Sequence, residues 1–291
     1  MKIQNRFRNW PALLSMGLLS VAICAGAQST SHPSKKQTAK APTRVAAEAV
    51  VPTIEPRAVE ILKAASDRLK AAHTLAFTAV ETFESADRFG QPIVFATKSA
   101  VALQRPDKLR VIMSADGPAS EFYYDGRAMM AYAPAENLLA IADAPPTIDK
   151  ALEAAYHAAG IYFPFTDLIV ADPYNDLAPG LKVAYYIGQS HVVGGTTTDM
   201  VAYSGDGVFV QIWIGSEDKL PRVIHALYLD DPEQLRHNLL FSDWQLDAPV
   251  TAESFAPANA GNAKRIQFAH PHPEKATDAK LPAKSKPNTA Q

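Results

Sequence analysis

The sequence predicts an α+β fold, one curved antiparallel sheet with helices on one side, in a single domain with disordered segments at both ends. Three observations predict it. Most of residues 75–246 falls into short runs of period two, punctuated by turn signals about every ten to fifteen residues. Two stretches show helical spacing instead, one opening the body and one lying between two series of strands. The segments 28–53 and 269–291 are rich in Ser, Thr, Lys, Ala and Pro, and bury too little apolar surface to offset chain entropy.

The N-terminus precedes that body. Lys2, Arg6 and Arg8 form a basic stretch, Ala12 to Ala22 an apolar one, and Ala25-Gly26-Ala27 a small-residue cleavage signal. The apolar run is too short for a stable membrane span, so 1–27 reads as a cleaved secretory signal peptide and the mature chain as periplasmic, without an integral membrane span. Ile23 before Cys24 argues against a lipidation site. Cys24 is the one cysteine, so the processed chain has no disulfide framework. Losing the three leader cations from 28 basic residues leaves 25 against 30 acidic ones, a net charge of −5. No basic patch suited to nucleic acid is present. The expected division is signal peptide 1–27, linker 28–53, folded body 54–268 and tail 269–291.

The body opens with a helix: Pro56 suits a first turn, and Val59, Leu62, Ala65, Ser66 and Leu69 recur on one side. From Leu75 the period becomes two, placing Leu75, Phe77, Ala79 and Phe83 on one face. "DRFGQP" is a turn, and "IVFATKSAVALQ", "KLRVIMS", "EFYYDG", "AMMAYAP" and "LLAIADA" follow as strands. Asp125-Gly126 between apolar runs is a hairpin signal. The insert then carries a helix through about Ala159, with Thr147 as its cap and Gly160 as its stop. "YFPFTDLI" forms a short helix or turn, and Asp172-Pro173 breaks the chain. From Val183 five more strands run to "NLLFSDWQL". Within "QIWIGSEDKLPRVI", Gln211 and Trp213 share one face and Ile212 and Ile214 the other.

Chemistry leaves few traces. There is no nucleophile elbow, phosphate-binding loop, dinucleotide fingerprint or metal-ligand spacing, so neither enzyme activity nor a metal or other cofactor is expected. A hydrolase reading rests on His225 with an acidic residue of the insert, among Asp167, Asp172 and Asp176, and lacks a nucleophile. What the chain supplies is large apolar side chains on strands and in the insert. These suit either an ordinary packed core or a concave sheet face that keeps a cavity for an apolar ligand, and periodicity does not separate the two. The cavity candidates are Phe77, Phe83, Phe95, Val111, Phe122 and Tyr124 on the early strands, Ile161, Phe163, Phe165 and Leu168 in the insert, and Trp213 on a late strand.

The segments "QRPDKLRV", "EFYYDGRAMMAYAPAENLLAIADAP", "QIWIGSEDKLPRVI" and "FSDWQL" occur in the order seen in periplasmic lipoprotein carriers of the LolA/LolB type, which they resemble. "PTIDKALEAAY", "GIYFPFTDLI" with the following "DPY", and "YIGQSHVVGG" are similar to the DUF2092 family of predicted periplasmic proteins. The likeness covers roughly 55–268. It implies an open half-barrel, a strongly bent sheet over helices whose apolar cavity holds a lipid or lipoprotein acyl chain. The carriers' lid-locking arginine has no match here more specific than the "RPDKLR" segment. The alternative is an envelope interaction module that takes a protein partner at a sheet edge.

Intact-mass analysis of a periplasmic fraction is expected to find a chain beginning at Gln28. A species retaining Met1 in the membrane pellet contradicts the cleavage.

Overall fold

A computed structural model describes residues 53–270. The signal peptide, almost all of the linker and most of the tail lie outside the described residues. Helix α1 (Pro56–Ala71) leads into strands β1 (Thr74–Ala86), β2 (Pro92–Gln104), β3 (Lys108–Ala115), β4 (Ser120–Tyr124), β5 (Ala128–Ala133) and β6 (Leu138–Asp143). The insert contributes α2 (Ile148–Ala159), α3 (Thr166–Ile169) and α4 (Pro173–Leu177). Strands β7 (Leu181–Ser190), β8 (Thr198–Gly205), β9 (Val208–Gly215), β10 (Pro221–Tyr228) and β11 (Arg236–Leu246) follow, and β12 (Lys264–Ile266) is last.

All twelve strands form one open sheet in the order β12-β6-β5-β4-β3-β2-β1-β11-β10-β9-β8-β7. Each series is a meander of neighbours, and the first and last strands of the pair of series, β1 and β11, join the halves antiparallel. β12 departs from the antiparallel expectation by pairing parallel to β6.

Bending follows from area. Laid flat, twelve strands at about 4.8 Å spacing span about 50 Å, whereas the 16 residues of α1 make a rod about 24 Å long. Yet inner-face residues from both halves pack on the same few helices. Leu69, Phe77, Val111, Tyr124, Met129 and Phe241 share one cluster with α2 and Phe165, while Ala58, Leu62 and Ala65 share a second with Ala184, Val201, Ile212 and Ile214. The sheet therefore wraps around α1, α2 and α3.

Local chemistry fixes the insert. The Thr147 hydroxyl accepts from the Lys150 N–H at 3.4 Å, capping α2. Gly160 ends it at φ 68°, where a side chain is strained. Asp172-Pro173 does more than break the chain: the Asp172 carboxylate accepts from the Asn175 N–H and Pro173 opens α4. On the outer face, Tyr123, Met130, Tyr132 and Leu139 are covered by Ala260 and Ala263 of the C-terminal segment.

Phe165 is 1% exposed, with its ring 5.6 Å from both Phe77 and Phe163. Phe165→Ala is expected to cost about 3–5 kcal/mol in chemical denaturation, while Phe89→Ala, at a residue 71% exposed, is expected to change stability by no more than about 0.5 kcal/mol.

Candidate functional site

The inner face of the sheet has two regions. Along β1 the inward residues Leu75, Phe77 and Ala79 are closed off at 1–3% exposure, Glu81 follows at 7%, and Phe83 is half-buried. Toward that rim the inner face changes from aliphatic packing to an aromatic and polar strip. Phe83 stacks on Phe95 at 5.7 Å and on His237 at 5.9 Å, and Tyr228 meets His237 edge-on at 5.1 Å. His237 Nδ1 lies 3.3 Å from Glu81 Oε1, and the Thr97 hydroxyl donates to Glu81 Oε2 at 3.3 Å. Glu81 and His237 are both buried, so each needs the other's hydrogen bond.

Farther along, α1, α3 and α4 arch over β8 and β9 and leave a cavity of about 90 Å³. Its walls include Leu62, Ala65, Leu69, Leu168, Leu177, Ile212 and Ile214, with Asp167, Asp176 and Tyr203 as polar members. Ile212 and Ile214 reach it because strand alternation sends them inward. Gly205 lets the end of β8 run against the turn before β7, where a Cβ would lie 2.1 Å from the Gly180 carbonyl oxygen.

Different anchors hold the two short helices. Arg105 donates to the Ile169 carbonyl at 3.2 Å and to the Leu69 carbonyl at 3.5 Å, tying the ends of α3 and α1 together. Burial lowers the Arg105 pKa, an effect that Asp149 opposes. Ile169 and Phe165 fix α3 from below. α4 contains no buried residue. It is held by the Lys70–Asp172 ion pair, by the Tyr174 N–H donating to Ser66 Oγ at 2.9 Å, and by Lys63 over the Tyr174 ring.

Asp167 points into this space. Its side chain is exposed, and partial desolvation together with Asp176 pushes its carboxyl up to about 6. Desolvation likewise raises the Tyr203 and Tyr228 phenols, with Asp167 adding to both, so they stay neutral donors.

The structure divides the residues singled out from sequence. Phe77, Val111, Phe122, Tyr124, Phe163 and Phe165 meet in the packed core rather than around an empty space, and Ile161 packs at its margin. Leu168 lines the cavity. Phe83 and Phe95 lie on the rim strip. Trp213 is corrected to the outer face: Ile212 and Ile214 point inward, so Trp213 points out, where it meets His225 at 5.0 Å. His225 is therefore on the opposite face from Asp167, and the two do not form a pair. Glu81, His237, Tyr228 and Tyr203 were not singled out; their signal was a polar or hydroxylated residue at an inward position of an alternating strand. Among the described residues no group of three or more His, Cys, Asp or Glu is placed to hold a metal. None of their helices is long and apolar enough to cross a membrane.

Folded Asp167 holds its proton more tightly than the unfolded chain, so its ionisation opposes folding, and stability falls as pH rises from about 4 through about 6. Asp167→Asn is expected to be more stable than the parent at pH 7.5 by up to about 1 kcal/mol, a figure reduced for solvent access. Thermal melts at pH 7.5 and about pH 4 check this, the gain vanishing at the lower pH. An equal difference at both contradicts it.

Among solved structures the chain is similar to MucB at 14% identity and a TM-score of 0.42, covering 71% of this chain and 64% of that one. It is similar to LprF from Mycobacterium bovis at 17% identity and 0.42, covering 68% and 97%. A LolA superfamily protein, NE2245 from Nitrosomonas europaea, is similar at 9% identity and 0.30, covering 69% and 97%. The chain thus spans under two thirds of MucB but nearly all of the other two. No curated protein matches it in sequence. The family model for predicted periplasmic proteins of the DUF2092 type matches residues 58–269, and the chain belongs to that family.

Proposed function

We propose that this protein is an exported, non-catalytic binding module of the cell envelope that takes an apolar ligand, the acyl chain of a lipid or lipoprotein, between its sheet and the helical insert. The cavity under α3 and α4 carries this reading: most of its wall is apolar, and it lies on the same inner sheet face as the aromatic, half-buried strip of Phe83 and Phe95.

Size decides how the chain enters. A cavity of about 90 Å³ is well below the roughly 300–1,000 Å³ of small-molecule sites. A full acyl chain therefore requires α4 to move off α1, and α4 is the helix without buried residues. Burying about 14 methylenes at about 0.8 kcal/mol each yields roughly 11 kcal/mol. Association costs of about 4–15 kcal/mol offset most of it. One chain is then held weakly enough to be handed on.

A second reading, a protein partner added as a strand, is supported by β7. The bridge from Ile54 to Ala184 covers part of that edge. Beyond it Ile187 of β7 is 44% exposed.

Nile red titration tests the first reading. The parent is expected to bind the dye saturably, and Leu168→Trp, which fills the cavity, is expected to weaken binding about tenfold while melting at a similar temperature. A parent that binds no dye, or a folded Leu168→Trp that binds as well, overturns it.

A further inference from the structure

We infer that the ligand's polar end lies against the rim strip and is uncharged or cationic, so that the protein selects hydroxyl- or amine-headed amphiphiles and rejects anionic ones. The inference rests on the apolar-ligand reading and deepens it.

Register makes the strip continuous. Phe83 pairs with Phe95 on one side and His237 on the other. Tyr228 pairs with Val208, and Tyr203 with Val210. The inner face thus runs from β2 through β1, β11, β10 and β9 to β8, ending at Asp167 and Tyr203 in the cavity wall. A chain lying in the cavity brings its head onto this path.

The groups along it are Glu81, His237, Tyr228, Tyr203 and Asp167, with Asp176 in the cavity wall. Among the described residues, no Lys or Arg occupies an inward position on β2, β1, β11, β9 or β8, and on β10 Arg222, at a register shift, is paired with Asp218. The cations near the cavity are engaged elsewhere: Lys63 over the Tyr174 ring and Lys70 on Asp172 are exposed at α4, and the Arg105 guanidinium, at the ends of α1 and α3, donates to the Leu69 and Ile169 carbonyls. His237 is engaged by Glu81, 3.3 Å away. A carboxylate or phosphate on the strip would enter a partly desolvated site that already holds acids and whose neighbouring cations, among the described residues, are engaged elsewhere, which is unfavourable. A hydroxyl or ammonium donates to Glu81 or Asp167, and the Tyr203 hydroxyl serves an ester or amide carbonyl. The Glu81–His237 pair is also an odd choice for a purely structural position. Two residues inward along the same strands, Ala79 and Leu239 fill the equivalent places with apolar groups.

Displacement of bound Nile red at pH 7.5 by three amphiphiles with the same twelve-carbon chain tests this. Monolauroylglycerol and dodecylamine are expected to displace the dye at about tenfold lower concentration than laurate. Glu81→Gln combined with Asp167→Asn is expected to shrink the gap to about threefold or less by improving laurate. Asp167→Asn alone, with its melting temperature measured, serves if the double variant does not fold, and is expected to narrow the gap in the same direction. Laurate displacing as well as the others from the parent, or variants that leave the ranking unchanged, overturn the inference and leave the apolar site standing. A parent that takes up no Nile red removes both.

Discussion

Everything in this structure depends on the mismatch between the apolar area of one long sheet and the few helices available to cover it. Twelve strands offer an inner face about twice as wide as α1 is long. Pairing β1 with β11 makes that face continuous, and burying it forces the sheet to wrap. The wrap is uneven. Around Phe77, Phe165 and Phe241 the space is filled by α2, α3 and the end of α1, with ring separations of 5.6–5.9 Å. Beneath α4 the covering helix has five residues, none buried, and the cavity appears there. A packed half and a half with a cavity are consequences of the same shortage of helix.

An open sheet also leaves two edges, and short segments from the ends of the described chain address both. Residues 53–55 lie beside Ala184 of β7, with backbone hydrogen bonds in both directions. At the other end β12 pairs with β6, and the Asn137 side chain donates to the Asn262 carbonyl at 3.1 Å. Such cover limits edge-to-edge association. Among the described residues it covers only the part of β7 around Ala184 and Tyr186.

Much of this was legible in the residues. Period two located eleven strands, and Thr147 and Gly160 marked the ends of α2, because these signals are local. The β1–β11 pairing was not legible, since it joins residues 154 apart in sequence at Phe83 and His237. The outer-face path of the C-terminal segment was equally hidden: Ala260 and Ala263 do not announce that they cover Tyr123 and Tyr132. At the site, alternation told that Ile212 and Trp213 face opposite ways but not which way is inward. Large aromatics drew the reading toward Phe122, Phe163 and Phe165, which fill the core. The cavity is instead bounded by modest aliphatic residues such as Ala65 and Leu177, whose role depends on what α4 leaves uncovered.

The central claim is that the half with the cavity holds an amphiphile in the cell envelope. Native mass spectrometry of protein purified gently from its own periplasm tests it most directly. The account predicts a second mass state, the chain plus one small apolar molecule with an uncharged or cationic head, lost on mild activation. A spectrum showing only the bare chain, or the chain with an anionic lipid or a protein alone, would contradict it.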